Sequence, residues 1–170
     1  MEREGEGVQA RAKSDRNELS VEAREAFEQG RRRIQADEPA GALRAFKQAH
    51  ALAPDHAQIR SWLGLATALV ERDFEQARTL CESAAKQEFF NPDLYLNLAK
   101  VYLSVGRRPE ALRYLRRGQM IDPGHDAIRD AIAELGLRRV PILPFLPRRH
   151  VVNRMLGGVR SLVVDRLLGV

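Results

Sequence analysis

The sequence predicts an all-α fold: a superhelix of three helix pairs closed by a cap helix, then an extended, proline-containing arm with short terminal helices. Small residues recur at a near-constant interval. Gly30, Gly64 and Ala99 lie 34 and 35 residues apart, and Ala42, Ala77 and Ala111 lie 35 and 34 apart. Apolar residues in the same stretches repeat with helical spacing, and Gly106 and Asp122-Pro123 punctuate them. A period of this length belongs to a helix–turn–helix unit that buries its apolar face only against its neighbours. Arrays of such units present surfaces, so the pattern points to binding rather than chemistry.

The elements follow in order. Met1 to Ser20 is polar, with charges of both signs and almost no apolar residues. It cannot offset its ordering entropy, so a disordered tail over 1–20 is expected. The helix pairs and cap are expected over 21–136, and a basic amphipathic arm over 137–170. The third unit is the clearest. Tyr95, Leu98, Ala99 and Tyr102 share one helical face, Gly106 marks the turn, and Pro109 stands where a helix can begin. Ala111, Leu112, Leu115 and Gly118 then share the facing stripe. Asp126 to Leu135 continues with Ala127, Ile128, Ala131, Ile132 and Leu135 on one side, with Gly136 as its expected end.

These residues resemble the tetratricopeptide-repeat family, whose pattern is W-x2-L-G-x2-Y, then A-x3-F, then P. The third unit has Tyr95, Leu98, Ala99, Tyr102, Ala111, Leu115 and Pro123 at those places. The first has Ala26, Gln29, Gly30, Arg33, Ala42, Phe46, Ala49 and Pro54. The second has Arg60, Leu63, Gly64, Thr67, Ala77, Cys81, Ala84 and a late Pro92. Against the family pattern, the second unit carries one added residue in its inner turn, around Glu71 to Asp73. About three more are added before Pro92. The block from Arg138 to Leu156 also resembles a tail that follows such repeats in some short bacterial proteins.

Composition excludes several classes. No apolar run is long enough to span a membrane, and Met1 to Ser20 has neither a signal-like apolar stretch nor a lipid-attachment cysteine. Cys81 is the single cysteine, so no intramolecular disulfide can form, which fits a reducing cytoplasm. The net charge is +5, but from Leu137 onward seven arginines face Asp165 alone. The repeat body is therefore near neutral, and basic character is expected in the arm. No catalytic set, cofactor or metal site is expected. His50, His56, His125 and His150 show no metal-ligand spacing, Gly157-Gly158 is a helix break rather than a phosphate loop, and the carboxylates are scattered. Cys81 falls where the pattern needs a buried residue.

The predicted binding face can be read at 100° per residue from the first helix of each unit. It carries Arg24, Glu28, Arg31 and Gln35 in the first, Gln58, Trp62, Leu65 and Leu69 in the second, and Asp93, Asn97, Lys100 and Ser104 in the third. The resemblance implies that these faces line a concave groove. Trp62, Leu65 and Leu69 would be an outward apolar patch, either a contact for a partner or a seat for the chain's own arm. Family members that clamp a C-terminal carboxylate use lysine, asparagine and arginine. Here Phe27 and Asp93 occupy the lysine places, Trp62 an asparagine place and Asn97 the arginine place, so such a clamp is not expected. An amphipathic helix or extended peptide suits the face better.

In the arm, Pro141, Pro144 and Pro147 recur with the period of a polyproline II helix. Ile142 and Phe145 then share one ridge, and Leu143 and Leu146 another, which suggests a strap pressed onto the protein's own surface. Two short amphipathic segments follow, broken by Gly157-Gly158. The expected function is a non-enzymatic adaptor that binds a protein segment. The alternative is a tether to a membrane or other anionic surface through the arm. Nucleic acid is disfavoured, because the arginines alternate with aliphatics rather than with stacking aromatics.

Overall fold

A computed structural model describes residues 19–137, and among these the chain forms seven α-helices. They are α1 (Val21–Gln35), α2 (Pro39–Leu52), α3 (Ala57–Val70), α4 (Phe74–Gln87), α5 (Pro92–Ser104), α6 (Arg108–Ile121) and α7 (Asp126–Leu137). Helix α1 packs on α2, α3 on α4, and α5 on α6. Successive pairs meet through α2 on α3 and α4 on α5, and α3 also touches α5. Three helix pairs and a terminal helix are the architecture the period predicts. The proline strap, the contacts expected of Ile142, Phe145 and Leu146, the terminal helices and most of the N-terminal tail lie outside the described residues. Two compact units divide the chain between Ala131 and Ile132, and the described part of the second is the end of α7. That helix runs through Gly136 to Leu137, so Gly136 is not the stop expected of it.

Helix starts follow from side chains that satisfy otherwise orphaned backbone donors. Ser20 Oγ accepts from the Ala23 N–H at 3.1 Å, Asp73 Oδ1 from Gln76 at 3.0 Å, and Asn91 Oδ1 from Asp93 at 3.2 Å. Two histidines do the same work. His56 Nδ1 accepts from Ile59 at 3.5 Å and His125 Nδ1 from Ile128 at 3.4 Å. Proline opens α2, α5 and α6, where a missing N–H costs nothing.

Each pair is joined by three residues (36–38, 71–73 and 105–107), and successive pairs by four (53–56, 88–91 and 122–125). The middle residue of each short turn is left-handed: Asp37 at φ 58°, Arg72 at φ 56° and Gly106 at φ 74°. This corrects the two expected insertions. The extra residue of the second unit lengthens the end of α3, which holds six residues after Gly64, where five follow Gly30 in α1 and Ala99 in α5. Nothing is inserted before Pro92. That proline is the first residue of α5, and Phe89 stands where the neighbouring units have Pro54 and Pro123.

The core is continuous from pair to pair. Ala26, Phe27, Ala42, Phe46 and Ala49 close on Ile59, Leu63 and Ala66 of α3. Ala57, Ala84 and Ala85 close on Leu94 and Tyr95 of α5. The stripe read in the third unit is buried at Tyr95, Leu98, Ala99, Tyr102, Ala111, Leu115 and Gly118. Leu112 is only half-buried. Cys81 is fully buried, as its place in the pattern requires. Small residues are needed where the helices touch. A Cβ on Gly30 would run into the Phe46 ring, and one on Gly64 would lie 2.7 Å from the Ala77 carbonyl oxygen. On α7, Ile128 is fully buried while Ala127 is exposed, so its packed face is narrower than the sequence suggested.

Candidate functional site

The face expected to bind runs across α1, α3 and α5. Arg24, Arg31 and Lys100 are exposed on it, Trp62 is half-buried, and Leu69 is 47% exposed. Leu65 and Asn97 do not belong to it, with only 3% and 2% of their surface accessible. Counting at 100° per residue assumed one packed face for each helix. The central helix is flanked by α2, α4 and α5, so its covered arc is wide enough to take in Ser61, Leu65 and Ala68. The continuous apolar patch Trp62–Leu65–Leu69 is therefore divided, and Trp62 and Leu69 are separate exposed points.

Asn97 has an interior role. Its Nδ2 donates to Ser61 Oγ at 3.2 Å, from α5 to α3, with both groups buried. The Ser61 carbonyl in turn accepts from Cys81 Sγ at 3.3 Å. Burial pushes the Cys81 thiol up to about 12, which keeps it protonated and without nucleophilic character. This polar thread ties the second pair to the third and satisfies groups that would otherwise be buried alone.

Trp62 is held on one side and open on the other. Its ring stands 5.8 Å from that of Phe46, tilted by 32°. The Arg31 guanidinium lies 5.9 Å from the indole and 6.0 Å from the Phe27 ring, and Arg31 also donates to Glu28 at 3.2 Å. The indole is thus pre-positioned, since its packing limits the rotamers it must give up on contact. On α5, Asp93 Oδ1 lies 3.1 Å from His125 Nε2. His125 uses Nδ1 as an acceptor for its cap, so Nε2 carries the proton and donates to Asp93. Lys100 is exposed as a residue, but the protein around its ammonium group displaces water and lowers it below its ordinary value, and nearby Asp93 opposes that shift. At the far end, Leu69 and Ser104 share a cleft of about 350 Å³ with Arg72, Phe74 and Val105.

Among the described residues, no three His, Cys, Asp or Glu side chains are grouped to hold a metal ion, and no helix is long and apolar enough to cross a membrane. The capping roles of His56 and His125 were missed in the sequence. Their signal was present, because His56, Asn91 and His125 lie 35 and 34 residues apart, each just before an apolar run.

Residues 68–135 match a family model described as "Tetratricopeptide repeat". Solved structures are similar as well. The Arabidopsis OM64 TPR domain shares 20% identity, with 69% of this chain and 96% of that chain covered at a TM-score of 0.56. The first TPR of Spaghetti (RPAP3), bound to the HSP90 peptide SRMEEVD, shares 14% identity over 69% of this chain and 92% of that one, also at 0.56. MamA shares 20% identity over 75% and 71%, at 0.53. At these identities the likeness establishes the fold alone. No curated protein is matched by the sequence.

Proposed function

We propose that the chain, which has the tetratricopeptide-repeat fold, is a non-enzymatic adaptor whose α1–α3–α5 face seats a segment of another protein. The observation that carries this reading is Trp62, half-exposed at the centre of the face and braced by Phe46 and Arg31. A braced, partly open tryptophan beside an arginine is the composition of interface hot spots. The similar TPR of Spaghetti is bound to an HSP90 peptide, and the second TPR domain of human RPAP3, at 14% identity and a TM-score of 0.54, is in complex with an HSP70 peptide. Those likenesses support a peptide-sized partner here.

The mode of binding differs from a carboxylate clamp. Phe27 is buried, Asn97 is bonded inside, and Asp93 is paired with His125. Arg24, Arg31 and Lys100 remain as the exposed cations. A segment with one large apolar side chain for Trp62, flanked by acidic groups, fits this arrangement. The setting we propose is a reducing cytoplasm, in keeping with a single, buried thiol.

The test is affinity capture from native lysate with the full chain and with an Arg31→Glu/Lys100→Glu variant. Both positions are exposed, so the variant, which gives up only the surface pair with Glu28 and the Arg31 contact with the Trp62 ring, should stay folded and lose the captured protein. Trp62→Ala should weaken capture by about 2 kcal/mol or more, with its melting followed in parallel because the Phe46 contact is lost too. If the charge-reversed chain melts normally and keeps every partner, the site is elsewhere.

A further inference from the structure

We propose that the outer face of α6, together with Phe89 and Phe90, is a second docking surface, built for an acidic amphipathic segment of a partner protein. Phe89 and Phe90 occupy the turn between α4 and α5. The same two positions of the equivalent turns hold Pro54-Asp55 and Pro123-Gly124. The two rings lie 4.1 Å apart and remain 51% and 74% exposed. A turn has no folding need for two adjacent exposed phenylalanines, and a proline would shape it at lower solvation cost. Met120 on α6 is 83% exposed, and it lines one groove with Phe89, Phe90 and Leu112. On the outer side of α6, Pro109, Leu112, Arg113, Arg116 and Met120 follow helical spacing, so the strip extends for roughly 16 Å at 1.5 Å per residue.

The charge on this strip selects the occupant. Helix α6 and its N-cap hold Arg107, Arg108, Arg113, Arg116 and Arg117 against Glu110. Arg113, Arg116 and Arg117 all line the groove. Among the described residues, none of these three forms an ion pair with a carboxylate. Arg113 lies over the Tyr114 ring at 5.2 Å, and Arg117 lies over Tyr95 at 5.5 Å while donating to the Tyr95 hydroxyl at 3.2 Å. The Tyr95 hydroxyl donates in turn to the Phe89 carbonyl at 3.1 Å, so one chain of contacts links the arginine row to the aromatic turn. An apolar strip edged by arginines complements a helix with an apolar stripe edged by carboxylates. The chain's own arm carries seven arginines against one aspartate, and a second copy would bring the same arginines. Both would meet like charge here.

The strip is on the second helix of its pair, not on the face of Trp62, so the two surfaces are separable by experiment. Two fluorescein-labelled 16-residue amphipathic peptides serve as probes. They share a Leu/Phe stripe, flanked by Glu in one and by Lys in the other. The full-length chain should bind the Glu peptide at least tenfold more tightly than the Lys peptide by fluorescence anisotropy, with affinity falling as salt rises. Measured in an Arg31→Glu/Lys100→Glu background, which removes the cations of the Trp62 face, Phe90→Ser and Arg113→Glu/Arg116→Glu should each reduce that affinity at least tenfold, while Arg44→Glu, at an exposed position of α2, leaves it unchanged. Equal binding of both peptides, or undiminished binding by the α6 variants, would overturn the proposal. So would tighter peptide binding by a full chain carrying Ile142→Ser/Phe145→Ser, which would make the arm the occupant. A dimer in sedimentation that Phe90→Ser dissolves would make the occupant a second copy, and would overturn it too.

Discussion

Gly64→Ala should destabilise the repeat body even though alanine is the better helix former. Gly64 lies inside α3, and a Cβ there would stand 2.7 Å from the Ala77 carbonyl oxygen, 2.7 Å from Cys81 Sγ and 3.2 Å from Leu80 Cβ. A side chain can rotate away from a new methyl, but a backbone carbonyl cannot, so α3 and α4 must separate. Overpacking of this kind costs about 1–3 kcal/mol, and the gain in helix propensity returns about 0.5–1 kcal/mol. The net loss is about 1–2 kcal/mol. A body of about 110 residues unfolds with an entropy of about 0.23 kcal/mol per kelvin. The midpoint should therefore fall by about 4–9 °C, read as helix loss by circular dichroism. Gly118→Ala is the control. Its nearest obstacle is the tip of Ile128 at 2.6 Å, which can turn aside, and the next atom is at 3.4 Å. Its midpoint should stay within about 2 °C of the parent. The third pair already has alanine, Ala99, at the place of Gly64, so the penalty belongs to the α3–α4 contact and not to the position in general. An unchanged or raised midpoint for Gly64→Ala would show that α3 and α4 take up the methyl without separating.

Asn97→Ala strands the buried Ser61 hydroxyl, so urea denaturation should show a loss of about 1–3 kcal/mol; Lys100→Ala on the same helix should stay within about 0.5 kcal/mol of the parent. His56 has its pKa lowered from 6.5 by burial, with Glu88 opposing and Arg60 assisting. The folded state therefore binds fewer protons than the unfolded one. Its stabilising contribution is complete above pH 6.5 and is lost as pH falls through the lower folded value. His56→Asn keeps a capping acceptor without titrating, so stability measured from pH 7.5 to 5 should depend less on pH in that variant. The Cys81 thiol should resist an aromatic disulfide reagent at pH 8 in the native chain and react only on unfolding; rapid native labelling would contradict its burial. If the arm tethers the chain to acidic lipid, co-sedimentation with vesicles should rise with anionic content and fall with salt.

The number and pairing of the helices are written along the chain, because a 34- or 35-residue period and helical spacing are properties of neighbouring residues. Tyr95, Leu98, Ala99 and Tyr102 were legible as a packed stripe for that reason, and Cys81 as a buried residue. How much of each helix is covered depends instead on which other helices pack against it. Leu65 and Asn97 are on the outward side of a helix that meets one partner, but α3 touches three helices and α5 reaches back to α3, so both residues are inside. The turn before α5 was misread for a related reason. Pro92 looked like a displaced repeat proline, whereas equal linker lengths make it a helix start and give its expected place to Phe89. Net charge hid the basic face as well. The body sums to near neutral, yet folding brings the α6 arginines beside an aromatic turn some 25 residues earlier in the chain. Period and pattern are local quantities, while burial and field depend on what packs from a distance, and that difference divides what could be read here from what had to be seen.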